Sequence, residues 1–185
     1  GALGGFIFAL VIYLQTMVGY SSTAAGLSLL PITGLMFLLS SRMGALAGKY
    51  GPRLFMAVGP IVTAVGMLTL LSVGKGYHYV TGILPGIVIF GLGLATLVAP
   101  LTVTVMASVR ESESGIASGV NNAVARVAGL IVVALLGIFG AEHSYRFTII
   151  LCSSLATLAG VLSYILIQNP PKAKLKKAIT GKAPA

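Results

Sequence analysis

The sequence predicts an all-α, polytopic membrane protein with six transmembrane helices, and three observations lead there. Only 8 % of its 185 residues are charged, against about 25 % in soluble domains. Its mean hydropathy is +1.02. Apolar stretches also recur along it, each near the roughly 20 residues that cross a bilayer core of about 30 Å. A chain so poor in polar residues cannot cover a soluble core. That excludes a soluble enzyme, a disordered protein and a nucleic-acid binder.

The spans follow in order. Residues 1–41 carry no charge, Arg42 being the first. This run is twice one span in length and is broken by Gly19-Tyr20-Ser21-Ser22-Thr23, a polar cluster suited to a turn. The first span is therefore placed at 2–18 and the second at 24–41. The third, 54–74, is uncharged and ends at Lys75-Gly76-Tyr77-His78-Tyr79, a polar and aromatic interfacial turn. The fourth, 80–108, is long enough to tilt and has Pro85 and Pro100 near its ends. After the loop from Arg110 to Ser114 come the fifth span, 115–140, and the sixth, 145–168. Asn169-Pro170-Pro171 stops that helix, and residues 169–185 form a lysine-rich tail.

The formal net charge is +9, but five of the twelve basic residues fall after the last span: Lys172, Lys174, Lys176, Lys177 and Lys182. They read as a membrane-facing tail, not a nucleic-acid surface. Arg42, Lys49, Arg53 and Arg110 lie on the same side as that tail, and Lys75 and Arg146 on the other. The asymmetry predicts both termini in the cytoplasm. It also gives the two triplets of spans opposite orientations, as in inverted three-helix repeats. The single cysteine, Cys152, excludes an internal disulfide and a cysteine-based metal site, and its apolar span reads it as plainly buried. The chain opens at Gly1 directly in apolar sequence, as expected of a piece from inside a larger protein.

Few residues could carry chemistry. Glu111, Glu113 and Glu142 all fall in predicted loops, as do His78 and His143. No metal site, catalytic residue or enzymatic activity is expected. Glycine is abundant at 24 residues, and Gly82, Gly86, Gly91 and Gly93 crowd the fourth span. Close helix packing explains them, with a bendable, gating helix as the other reading. Arg126 is the one ionisable side chain at depth. The apolar run after it, 127–141, reaches only roughly 22 Å, so the span begins earlier and Arg126 lies about 15 Å in. An arginine there costs roughly 2.5–3.5 kcal/mol unless it faces protein or water. Gly115, Ser118, Gly119, Asn122, Arg126 and Gly129 recur every three to four residues as one small, polar stripe. Arg126 is either satisfied by carbonyls or a carboxylate on another segment, or belongs to a water-accessible cavity that binds anionic groups or responds to proton coupling.

The second loop, Gly44-Ala45-Leu46-Ala47-Gly48-Lys49-Tyr50-Gly51-Pro52-Arg53, permits a tight reversal through its glycines, and Lys49 and Arg53 anchor it to anionic lipid. This segment resembles the loop signature of major facilitator superfamily transporters, carried here by Gly44, Leu46, Lys49, Gly51 and Arg53. It departs at Gly48, where the family has an Asp that helps latch the loop to a neighbouring helix start. Further pieces resemble the C-terminal half of the fourteen-span drug:proton antiporters of the EmrB/QacA type. These are Tyr13-Leu14-Gln15, Gly19-Tyr20-Ser21, Ala25-Gly26-Leu27, Leu30-Pro31, Leu84-Pro85-Gly86 and Gly91-Leu92-Gly93. Gly115 to Gly119 with Asn121, Arg126 and Gly129 follow, so the likeness covers nearly all of 1–168 in order.

The resemblance implies one half of a major facilitator fold, in which two six-helix halves enclose a central cavity. It implies efflux of drugs or other amphipathic molecules in exchange for protons. It implies no cofactor, with a proton gradient as the energy source. The first and fourth spans would line the cavity, with the second and fifth flanking it, and Tyr13, Gln15, Asn122 and Arg126 would be its polar residues. The implied partners are a small-molecule substrate, the lipid bilayer of a bacterial inner membrane and the missing N-terminal half, with no nucleic acid. Two alternatives stay open: transport of another solute class, such as sugar or metabolite uptake, or a six-span accessory membrane protein without transport.

Overall fold

A computed structural model describes residues 1–73, 78–107, 113–138, 141–167 and 169. These form α1 (Ala2–Thr16), α2 (Ser22–Leu27), α3 (Leu30–Tyr50), α4 (Pro52–Thr69), α5 (Leu84–Ala107), α6 (Ser114–Ile138) and α7 (Ala141–Leu166). A 3₁₀ turn, Leu70–Ser72, extends α4, and a π turn, Tyr79–Ile83, leads into α5. No strand occurs among the described residues. The stretches Ser22–Tyr50, Pro52–Ser72, Tyr79–Thr102, Gly115–Leu135 and Tyr145–Leu166 are long and apolar enough to cross a membrane, and α1 is a shorter apolar helix. The fold is thus all-α and fits half of a major facilitator fold. Residues 170–185, with the tail lysines, lie outside the described residues, as do Lys75, Arg110 and Glu111 and the side chains of Glu142 and His143.

The expected reversal across 44–53 is not a loop. α3 continues through Gly44, Leu46 and Lys49 to Tyr50, Gly51 alone makes the turn, and Pro52 opens α4. Charge at Arg42 marks where apolar sequence ends, whereas a helix ends only where its backbone is broken. Ala45, Leu46, Ala47 and Lys49 all favour helix. Gly51 takes φ +95°, open to glycine at little cost, and the fixed φ of proline suits a first helical position. The polar cluster at 19–23 does turn the chain: Gly19 sits at φ +85°. Ser21 caps α2, its hydroxyl accepting from the Ala24 N–H at 3.2 Å.

The core is built by α1, α4, α5 and α7. Phe6, Leu10 and Leu14 meet Met67 and Leu70, Ile83, Ile87 and Phe90, and Ile149 and Cys152, all fully buried. The rings of Phe6 and Phe90 lie 4.7 Å apart at 38°. α4 is held between α5 and α7, antiparallel to both. Its seam with α5 explains the glycines: a Cβ at Gly59 would meet Leu97, at Gly66 Phe90, at Gly93 Thr63 and at Gly86 Leu70. Glycines seven residues apart on both helices let the backbones touch. Gly160 of α7 likewise leaves room for the carbonyl of Ala57. α3 runs parallel to α5, with Gly91 against Ile32 and Leu35 and Gly44 against Ala99. α6 runs parallel to α1, Gly1 facing Ala128 and Gly5 facing Val132. Helix directions therefore alternate along the chain, and the two triplets begin in opposite directions.

Candidate functional site

The four polar candidates do not converge. Tyr13 and Gln15 sit at the C-terminal end of α1, whereas Asn122 and Arg126 sit near the middle of α6. Because Gly1 lies beside Ala128 in a parallel pair, Arg126 falls below the first residue of α1. Some fourteen helical residues, roughly 21 Å, separate it from the level of Tyr13.

Tyr13 is committed to the protein's own backbone. Its hydroxyl donates to the Val73 carbonyl at 2.8 Å, and its ring stacks on Tyr145 with centroids 3.7 Å apart. The Tyr145 hydroxyl donates to the Leu70 carbonyl at 3.1 Å. The Tyr13 hydroxyl thus partners the Val73 carbonyl just past the helix end, and the Tyr145 hydroxyl adds a second bond to the Leu70 carbonyl, which also accepts from the Val73 N–H at 3.3 Å. The Gln15 side-chain carbonyl accepts from the Ser22 hydroxyl at 3.1 Å, joining α1 to α2. Nearby, the Tyr79 hydroxyl donates to the Ser28 carbonyl at 2.8 Å. This end of the bundle is laced by side chain to backbone bonds.

Asn122 and Arg126 are exposed and have no partner among the described residues. α6 itself is nearly bare. Ile116, Val120, Val124, Val127, Leu130 and Ile131 are all more than half exposed, and a Cβ at Gly115, Gly119 or Gly129 would meet nothing within 4 Å. The stretch from Ala128 to Val132 lies against Gly1, Gly4 and Gly5 at the start of α1.

Two cavities flank this helix. One of about 550 Å³ opens between α1, α4, α5, α6 and α7 and is lined mainly by apolar side chains such as Met56, Leu97, Ile131 and Leu155, with Thr63 and Ser163 as polar groups. The Thr63 hydroxyl already donates to the Gly59 carbonyl at 2.8 Å. The other, about 610 Å³, is a groove between α5 and α6 lined by Val105, Ile116, Val120, Val124, Asn121 and Glu113. None of the four candidates lines either cavity. Among the described residues no three of His, Cys, Asp and Glu gather as a metal would require.

At the opposite end from the tyrosines, two of the signature residues, Gly51 and Arg53, form a clamp with Tyr164 and Asn169 that sequence reading missed. Arg53 donates through Nε to the Tyr164 carbonyl at 2.7 Å, and its guanidinium lies 4.4 Å from the Tyr164 ring centre. That carbonyl belongs to the last turn of α7, where a cation is favoured. The Asn169 side chain accepts from the Arg53 N–H at 3.2 Å, capping α4 in place of Gly51. Gly51 is closely covered by the same Asn169 amide. Lys49 lies 5.4 Å from the Tyr50 ring centre. A Cβ at Gly48, where the family has Asp, would meet nothing within 4 Å, so the clamp runs through Arg53 and not through position 48.

The profile of the Major Facilitator Superfamily matches residues 1–185. The chain belongs to that superfamily. Its members are transporters, and this chain is an integral membrane protein. It is similar to puromycin resistance protein pur8 of Streptomyces alboniger, 29 % identical over 210 residues covering 100 % of this chain and 41 % of the relative. It is 31 % identical over 141 residues to the tetracenomycin C resistance and export protein of Streptomyces glaucescens, covering 75 % of this chain and 26 % of the relative. To the probable actinorhodin transporter of Streptomyces coelicolor it is 32 % identical over 138 residues, covering 73 % and 24 %. The chain therefore spans between about a quarter and two fifths of these relatives' lengths.

Proposed function

We propose that this chain is the C-terminal six-helix half of a proton-coupled exporter of drugs or other amphipathic small molecules. The observation that carries the reading is α6. A helix that holds Asn122 and Arg126 in its middle and is exposed on nearly every side needs a further wall of protein. An alternating-access transporter supplies one, since its path lies between two halves that rock against each other. The names of the relatives, which concern resistance and export, favour outward movement of amphipathic compounds. The apolar cavity against α1 and α6 suits the apolar part of such a molecule. Within the described spans no Asp, Glu, His or Lys lies at depth, and Arg stays charged at every relevant pH. The proton-carrying carboxylate therefore comes from the other half. The clamp end, with Lys49 and Arg53, faces the cytoplasm. The experiment is reconstitution of the whole transporter in vesicles and imposition of a pH gradient. Dye accumulation that follows the gradient and collapses with a protonophore supports the reading. Transport of sugars or metabolites down their own gradients, with no effect on dyes, refutes it.

A further inference from the structure

We infer that Tyr145 is a positioning residue for transport. With Tyr13 stacked on it, it fixes how α1 is turned about its own axis, and so which side chains α1 offers to the transport path. This rests on the proposed exporter, and it places Tyr13 in the scaffold instead of in contact with substrate. Two kinds of contact hold the pair. The rings lie 10° from parallel with centroids 3.7 Å apart, which sets the spacing of α1 and α7. The hydroxyls set height and turn: Tyr13 donates to the Val73 carbonyl and Tyr145 to the Leu70 carbonyl, so two helices reach the same end of α4. Tyrosine has few rotatable bonds. A ring fixed both at one face and at its hydroxyl leaves its own Cα little freedom. Tyr145 is 4 % exposed, so little water competes for its bond.

The consequence is read along α1. Phe6, Leu10 and Leu14 stand on the side of Tyr13 and are fully buried. Gly4, Phe8, Ile12 and Thr16 follow one another at intervals of four on the opposite side, and all are exposed. Phe8 is 43 % and Ile12 39 % exposed, so the open face of α1 is apolar and aromatic. The Thr16 hydroxyl is already given to the Ile12 carbonyl at 2.9 Å. A slip of one residue turns a helix by about 100°, enough to carry Leu14 out of the core and Ile12 away from the open side. The packing of Phe6, Leu10 and Leu14 is apolar and therefore non-directional. The stack and the Tyr13 hydroxyl supply the direction. The side chains of α1 that meet a substrate are then Phe8 and Ile12, and the tyrosine pair is what keeps them turned outward.

The test uses the full-length transporter carrying Cys152→Ser and has two readouts. The first needs no transport: Leu14→Cys, on the buried side, is probed in membranes with a permeant maleimide. It is expected to stay unlabelled beside Tyr145 and beside Tyr145→Phe, which keeps the ring, and to label several-fold faster beside Tyr145→Leu. The second is export of the fluorescent dye ethidium at matched membrane levels. Tyr145→Leu is expected to lower the maximal rate several-fold with KM unchanged, because the pair touches no substrate. In Tyr13→Cys with Tyr145→Cys, joining the two thiols with a short bifunctional reagent is expected to restore the rate. Equal labelling beside all three residues at position 145 overturns the positioning role. So does a raised KM at an unchanged maximal rate, which would make the pair part of the substrate site. Loss of export on joining the thiols overturns it as well, since the pair would then have to part during transport. The expected labelling in a protein that exports no dye leaves the pair standing and sinks the exporter reading. Dye export with equal labelling does the reverse.

Discussion

The seam between α4 and α5 gives the sharpest test of how this bundle holds together, through Gly66→Ala. A Cβ on Gly66 lies 2.7 Å from Phe90 Cα and 2.9 Å from Phe90 Cβ, whereas carbon atoms settle at about 3.5–4.0 Å. The nearest atoms are backbone and cannot swing away. α4 and α5 must part by roughly 1 Å, and a gap of that size forfeits up to about half of each dispersion contact across it. Gly59 on Leu97, Gly93 on Thr63 and Gly86 on Leu70 all loosen with it. Overpacking of this kind costs about 1–3 kcal/mol, and the better helix propensity of alanine returns up to about 1 kcal/mol. Gly34→Ala on α3 is the matched control, because its Cβ meets nothing within 4 Å. The readout is thermal unfolding in detergent followed with a fluorogenic thiol dye, which reacts when the single, fully buried Cys152 is uncovered. Gly66→Ala is expected to melt several degrees below Gly34→Ala, at about 2–4 °C per kcal/mol for a chain of this size. Equal melting temperatures, or a higher one for Gly66→Ala, refute the close seam.

The same melt reads the tyrosine pair: Tyr145→Phe and Tyr13→Phe each remove one hydroxyl to carbonyl bond and are expected to cost about 0.5–1.5 kcal/mol. Tyr13→Ala, which also removes the ring stack on Tyr145, costs more. At the opposite end, Gly51→Ala combines a positive φ with a collision against Asn169 and is expected to lose about 1–3 kcal/mol. Gly48→Asp, which enters open space, is expected to be tolerated, and the two melting curves compare them directly. For topology, cysteines replacing Ser22 and Tyr50 in a Cys152→Ser background are probed in cells with an impermeant thiol reagent. Labelling of the first from outside, and of the second only after permeabilisation, is expected; the reverse pattern overturns the orientation.

Much of this architecture is legible in the sequence because hydropathy and charge act over whole segments. Runs such as 54–74 can do little but span a membrane, and the polar cluster at 19–23 can do little but turn. The end of α3 was not legible. Arg42 signals the edge of the apolar layer, but only Gly51 and Pro52 interrupt the backbone, so the helix outruns its hydrophobic part by two turns. The glycines of the fourth span predict close packing, and the register of Gly59 and Gly66 against Gly86 and Gly93 was present as a repeat of seven on both helices. Tyr13 could be singled out through the resemblance as a polar residue of the first span, but not its bond to Val73, which depends on three helices meeting. Asn169 reads as a helix stop, and its capping of α4 across 116 residues has no local signal at all. Arg126 is singled out in the sequence by depth alone, and the structure leaves its side chain exposed on α6.

The central claim, that this chain is one wall of a two-walled transporter, is tested most directly by splitting the protein. Residues 1–185 are placed in vesicles alone and then together with the remaining part of the transporter expressed as a separate chain. A single half exposes the Asn122 and Arg126 face to lipid and provides no second wall. The account predicts no proton-driven dye export from the first vesicles and recovered export from the second. Strong pH-dependent export by residues 1–185 alone would contradict it and point to a transporter assembled from two copies of this chain.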